Sequence, residues 1–389
     1  YDVTISDLRA KLVKVSDSVA NYLIAPPSTD STSSPVHDIT IDHFALTGNS
    51  SVSYYEVSGS RDITIGITTD IAHSANGVPA YLVRISGTGE GTIAPDLRIP
   101  STPVSVDGRV EWTPSDPYRL AVRDMTLGVD RLALTLNTDI DFSRQLTVNQ
   151  LRISAPDISL SSLRRILPES MQGELRNIEG EVVADLNAEL TKPFNPSTDS
   201  IPSGRVELSL SGAADYDRIH LRTIEARILA TVDGLDPDRS SVDIKHLKAI
   251  GRAMGFEMEA TIDNPVTDPR VKGVFKGGVD FASLPKQLTE RMGLNMEGLV
   301  TADTRFDFRL SHLSSQNFHH MKIDGNMSVK RFHAERVDSS ITLFASGARL
   351  HFGTSSKASL PTATVDSLLT VSISTDTIAV SYTHLRAHE

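Results

Sequence analysis

The sequence predicts a mainly β protein: an elongated, curved antiparallel sheet with an open groove, built from repeated strand units and a few short helices. Three observations predict it. Apolar and polar residues alternate over many segments, the pattern of strands with one dry and one wet face. Gly, Pro, Asp and Asn punctuate those segments, as in antiparallel neighbours joined by turns. One strand opening is written twice, as EGEVVAD at 179–185 and EGLVTAD at 297–303.

The elements follow in chain order. Within residues 5–23, Ile5, Leu8, Leu12, Val15, Val19 and Tyr22 recur at helical steps, so residues 1–35 read as an amphipathic helix, with Ser6 as its N-cap, and then a Ser/Thr/Pro loop at 25–35. From residue 36 to 379 the period is two. DITIGITTDI sets Ile63, Ile65 and Ile67 on one side. RLALTLNTDIDF is clearest: Leu132, Leu134, Leu136, Ile140 and Phe142 share a face that only Thr138 breaks. VELSLSG and FEMEATI repeat the pattern, and TRFDFRL sets Phe306, Phe308 and Leu310 against Arg305, Asp307 and Arg309. Fully buried parallel strands would instead read as unbroken apolar runs. VDGR, PSDP, DGLDPD, DNPVTDP and IDGN are the expected turns. Two short helices are predicted, at 159–171, and at 280–294 with Ser283 as cap; each precedes one copy of the repeated opening. Units that cannot bury their own faces stack to share one. The last ten residues, VSYTHLRAHE at 380–389, break the alternation and read as a translated sequencing adapter. They are set aside as a non-native tail, so His384 and His388 carry no weight and the natural chain is expected to continue past Ala379. The start at Tyr1, in mid-pattern, reads likewise as that of a fragment.

Composition narrows the function. A net charge of −11, mixed along the chain, speaks against nucleic acid, which needs a basic footprint. The absence of cysteine excludes disulfides, thiolate metal sites and cysteine catalysis. No run approaches the ~18 apolar residues that span a bilayer.

Candidate chemistry is sparse. Ser283–Lys286 satisfies Ser-x-x-Lys without a partner motif, and Ser283 serves better as a helix cap. Gly87–Gly91 fits no phosphate-loop spacing and reads as a turn. His319 and His320 are adjacent and point apart in a strand, leaving His333 and His351 to be gathered only by the fold. The carboxylates fall on alternating positions of a solvated face, and Trp112 reads as a packing residue. No enzyme activity, cofactor or metal is expected. A cluster of carboxylates or histidines in one pocket would reverse that and point to an envelope-polysaccharide hydrolase.

What remains is the alternation. An apolar sheet face left open as a groove would take acyl chains at about 0.8 kcal/mol per methylene, without catalytic residues. The lining expected on period-two patterning is Leu132, Leu134, Leu136, Ile140, Phe142, Phe306, Phe308 and Leu310. A structural or adhesive β protein, its apolar faces closed on each other, is the alternative.

Residues 146–190 carry a resemblance: a strand ending in APDISL, a Leu-rich helix ending in LP, then I-x-G-x-V-x-A-x-L. GGVDFASLPKQL and MEGLVTADTRFDF make a second pass, and ITIDHFALTGNSSVSYYE at 39–56 resembles a third element, with Tyr54–Tyr55–Glu56 where Tyr-Asp is common. Together these resemble the AsmA-like family of Gram-negative envelope proteins, over most of residues 1–350. The resemblance implies a periplasmic protein anchored in the inner membrane by an N-terminal segment outside this sequence. It implies a long twisted β-sheet with a hydrophobic groove, phospholipid or another acyl lipid as partner, and a role in outer-membrane biogenesis and lipid transport between the membranes.

Overall fold

A computed structural model describes residues 1–16, 19–22, 41–57, 61–74, 79–94, 97–113, 118–167, 172–216, 219–284, 294–313, 320–336, 341–354, 369–374 and 377–382. The protein is mainly β and its strands form open, not barrel-closed, antiparallel sheet, as the alternation predicts. The chain divides into two compact units, Tyr1–Arg176 with Asp185–Gly204, and Asn177–Ala184 with Arg205–Glu389.

The first unit holds β1 (Asp2–Ser6), β2 (Arg9–Ser16), β3 (Val19–Ala20), β4 (His43–Thr47), β5 (Ser51–Glu56), β6 (Arg61–Ser74), β7 (Ala80–Ala94), β8 (Leu97–Thr113), β9 (Arg119–Val129), β10 (Leu132–Asp141), β11 (Thr147–Ser159) and helix α1 (Leu160–Ile166). From β6 to β11 each strand pairs antiparallel with the next. β4 and β5 pair with successive parts of β6, while β1 and β2 lie parallel to β4 and β5. Both rows break at one level. Asp7 (φ 55°) and Gly48 (φ 67°) turn the chain, Asn49 N donates to Asp7 Oδ1 (2.8 Å), and Leu8 N donates to Ser50 Oγ (3.1 Å).

In the second unit, after β12 (Ile178–Leu190), which the division crosses, come β13 (Gly204–Tyr216), β14 (Ile219–Val232), β15 (Ser241–Gly251), β16 (Met254–Asp263), β17 (Arg270–Asp280), β18 (Leu294–Arg309) and β19 (Lys322–Arg336). From β14 to β19 each pairs antiparallel with the next. β20 (Ile341–Ser346) and β21 (Ala348–Thr354), joined at Gly347 (φ 70°), share β19 as partner. β22 (Leu369–Ser374) pairs with β21, and β23 (Thr377–Tyr382) pairs with β20. This last ladder runs past Ala379 through Val380–Tyr382 of the tail set aside; residues 383–389 lie outside the described set.

The core of both units is thin. Among the described residues no large side chain is less than 2% exposed, and most buried apolar residues are alanines. Two packed layers normally enclose large apolar side chains completely. Here most large apolar side chains stay part-exposed, with Leu46, Met125, Leu160, Met321 and Val329 as the buried ones among the described residues.

Several local expectations are corrected. The described residues within 5–23 are not a helix: Ile5, Leu12, Val15 and Val19 lie in β1 to β3. A helix of that length is marginal without a surface to pack on, its β-branched residues favour strands, and β4 and β5 offer a ladder. Ser6 caps nothing; its hydroxyl lies 2.8 Å from Thr47 Oγ1 across the strands. The 25–35 loop lies outside the described residues. The helix expected over 159–171 forms as the shorter α1, with Ser159 Oγ accepting from Ser162 N. The helix expected at 280 begins as a 3-10 turn, Phe281–Ser283, capped by Asp280 and not by Ser283, and residues 285–293 lie outside the described set. Asp107–Gly108, Gly87–Gly91 and Asp324–Gly325 are not turns but lie within β8, β7 and β19. Gly108 sits where a Cβ would stand 2.6 Å from Met125 Cα, opposite a bulge of β9; Phe352 Cζ would lie 2.7 Å from a Cβ on Gly325, so its ring covers that glycine.

The repeated opening has a structural cause. Gly180 has φ 118° and Gly298 φ 105°, and a Cβ at either would lie 2.5 Å from Ala213 O or 2.4 Å from Arg331 O. Beside Gly298 the β18–β19 register shifts, and Arg331 adopts φ 46°. Each copy thus carries, near the start of its strand, a glycine that lets a neighbouring backbone press close.

Candidate functional site

Directly opposed residues on paired antiparallel strands share a face, so the registers assign the sides. In the first unit Val106, Leu127 and Leu134 align across β8, β9 and β10. Met125, Leu136 and Ile153 form the next row, and Trp112, Leu120, Ile140 and Val148 another. Leu132 opposes Val129. The extra residue in β9, where Asp124 (φ 47°) donates its N–H to Asn137 Oδ1 (2.9 Å), keeps β10 regular, so its even positions stay on one side. Thr138, the one polar break, is buried, and its hydroxyl donates to Gln150 O (2.8 Å). Phe142 follows β10 and is 40% exposed, its ring 6.3 Å from that of Trp112.

The second unit repeats the arrangement. Phe306 stands between Gly273 and Ile323, and Phe308 opposes Val271. Met258 opposes Phe275, whose ring stacks with Phe256 at 6.2 Å. Ala302, Met327 and Leu350 continue the face toward β21. Leu310 leaves it: it opens a 3-10 turn, Leu310–Leu313, and is 47% exposed. Thus Leu132, Leu134, Leu136 and Ile140 come together in one face, with Phe142 at its end, and Phe306 and Phe308 in another.

The opposite faces are polar and laced with cross-strand pairs. Arg84 Nε donates to Asp107 Oδ2 (3.0 Å) in the first unit, and Arg270 grips Asp307 through Nε and Nη2 (both 2.8 Å) in the second. The paired guanidinium holds the Asp307 carboxyl below its usual range, partial desolvation opposing it. Asp243 is lowered by Lys245 and then by Thr261 in the same way. Two hollows of about 700 and 650 Å³ lie on the sheet of the second unit. The larger is lined by Asp243, Lys245, Glu259, Lys272, Arg305 and Asp307 together with Ile244, Ala260, Phe306 and Ile323 of the apolar row.

Among the described residues no group of three His, Asp or Glu side chains could hold a metal. His319 and Lys286 lie outside the described set, His320 stacks near His312 at 5.3 Å, and His351 Nδ1 lies 3.1 Å from Asn326 Oδ1. Ser283 Oγ donates to Asp280 Oδ2 (2.8 Å). Among the described residues no helix is long and apolar enough to cross a membrane. No protein-family model, curated protein or solved structure matches the chain.

Proposed function

We propose that the chain is the β-sheet region of an AsmA-like periplasmic protein, anchored in the inner membrane, that carries phospholipid along its apolar sheet face during outer-membrane biogenesis. One observation supports this above the others. The apolar rows of each unit are continuous across many strands, yet no large side chain on them is fully buried among the described residues. An apolar face of that extent in water costs free energy at roughly 25 cal/mol per Å² until something apolar covers it. Acyl chains fit, because they bury methylenes without directional contacts. The resemblance of residues 146–190 to the AsmA-like family supplies the compartment and the lipid class.

The test is photo-crosslinking in cells, with the probe at Leu134 on the apolar side and at Thr135, which faces Thr126 and Ser154, on the polar side. Lipid adducts at Leu134 alone are expected. Protein-only crosslinks at Leu134 would assign the face to a closed structural or adhesive assembly.

A further inference from the structure

One end of the first unit's sheet is edged with aromatic and aliphatic residues. Trp112 and Thr113 close β8, Tyr118 precedes β9, Phe142 follows β10, Leu146 precedes β11, and Ile201 lies in the turn between β12 and β13. These five large residues come from three turns, and each is between 37% and 46% exposed. Hydrogen bonds tie the turns to one another. Phe142 N donates to Tyr118 O (2.9 Å), and Val148 and Phe194 exchange backbone bonds (2.8 and 2.9 Å). Asn195 Nδ2 donates to Gln145 Oε1 (2.9 Å). Trp112 belongs to the apolar row of Leu120, Ile140 and Val148, and Phe142 lies two residues beyond Ile140 with its ring 6.3 Å from that of Trp112. The apolar side of these strands thus runs out to the turns themselves. At the other end of the same strands the β9–β10 turn is Asp130–Arg131, and Asp130 pairs with Arg165.

Packing within the fold leaves each of the five more than a third in water. Trp and Tyr have an apolar body and a polar tip, and they settle where hydrocarbon meets water. A protein partner would need a surface fitted to three separate turns. A bilayer needs only that apolar side chains stand together beside polar ones. The charged residues flanking these turns, Arg119, Asp141, Arg144, Lys192 and Asp199, are of both signs. That mixture suits zwitterionic head groups, whose phosphate and ammonium meet either charge, and a chain of net charge −11 is repelled by a strongly anionic surface.

We infer that this end of the first unit docks on a zwitterionic phospholipid bilayer, with Trp112, Tyr118, Phe142, Leu146 and Ile201 set into the head-group boundary. On the lipid reading above, this is the end at which an acyl chain passes between bilayer and sheet; docking itself does not depend on that reading.

Trp112 is the only tryptophan among the 389 residues, so its emission reports on this end alone. The test mixes the purified chain with phosphatidylcholine vesicles and follows flotation on a density gradient and Trp112 emission, with bromine-labelled acyl chains as quencher. The protein should float with the vesicles, and Trp112 emission should shift to shorter wavelength and be quenched. Phe142→Ser with Leu146→Ser keeps the reporter and should weaken vesicle binding roughly tenfold, the scale of two part-immersed apolar side chains. Leu235→Ser, in the second unit and 77% exposed, should bind as wild type does. Circular dichroism checks the fold of each variant. Wild type that does not float overturns the inference, as does a double variant that floats like wild type. Quenching of Trp112 without flotation means that lipid has left the bilayer for the sheet, which overturns docking and favours the lipid reading. Flotation with no lipid extracted from the vesicles upholds docking and counts against the lipid reading. Dimers seen by light scattering, lost in the double variant and without flotation, assign this end to contact between copies of the chain and overturn docking.

Discussion

At the scale of single residues, glycines and paired carboxylates do the most. Gly298 occupies a backbone region that other residues enter only with strain, and a side chain there meets the Arg331 carbonyl. Gly298→Ala should cost about 1–3 kcal/mol in urea denaturation. Gly89→Ala is the control: a Cβ there would stand 3.7 Å from Ile65 Cγ1 and 3.8 Å from Val104 Cγ1, ordinary contact, so stability should hold or rise slightly. Asp307 gives a pH dependence. Its carboxyl is lowered in the fold, so the pairing with Arg270 stabilises above the unfolded carboxyl value, about pH 4, and is lost as the pH falls through the lower folded value. Asp307→Asn should flatten the acid limb of the stability curve below about pH 4 and change its slope little above pH 6. An unchanged acid limb would show that the ion pair is not formed in solution.

At the scale of elements, the question is what lies on the apolar rows. Leu136 of β10 is half-buried between Met125 and Ile153. Leu136→Ala should therefore cost about 1–2 kcal/mol, below the 2–5 kcal/mol of a fully enclosed core leucine. A loss above about 4 kcal/mol, measured by denaturation of the delipidated protein, would mean that a second layer covers the strand. Helix α1 is short and held by its cap and by Arg165 Nη2 to Asp130 Oδ2 (2.8 Å), so Ser159→Ala should loosen it at a cost of roughly 1 kcal/mol and speed hydrogen exchange there first.

At the scale of the whole molecule, the chain spends its apolar residues on sheet faces, with little interior in either unit. If acyl lipid occupies those faces, a charge placed on one should displace it. Leu134→Glu should cut the lipid recovered with the protein several-fold, whereas Thr135→Glu, one residue along on the polar side, should leave it unchanged. Equal effects, or none, measured by mass spectrometry of extracted lipid, would count against the apolar face as the lipid path.

Period-two alternation determined by itself that the chain is β, that β10 carries one apolar side, and that Phe306 and Phe308 share another, because strand geometry alone puts every second side chain on one face. Three things only the tertiary structure decided. Residues 5–23 have helical spacing, but parallel neighbours β4 and β5 hold them as strands, since ladder hydrogen bonds outweigh a weak local preference. The in-strand glycines at 108 and 325 look like turns until the bulge or ring across from each is seen. The meeting of Trp112, Tyr118, Phe142, Leu146 and Ile201 at one end of the first unit depends on pairing between segments up to some ninety residues apart, which no local pattern encodes. Alternation says which way a side chain points; what stands beside it is set by long-range pairing.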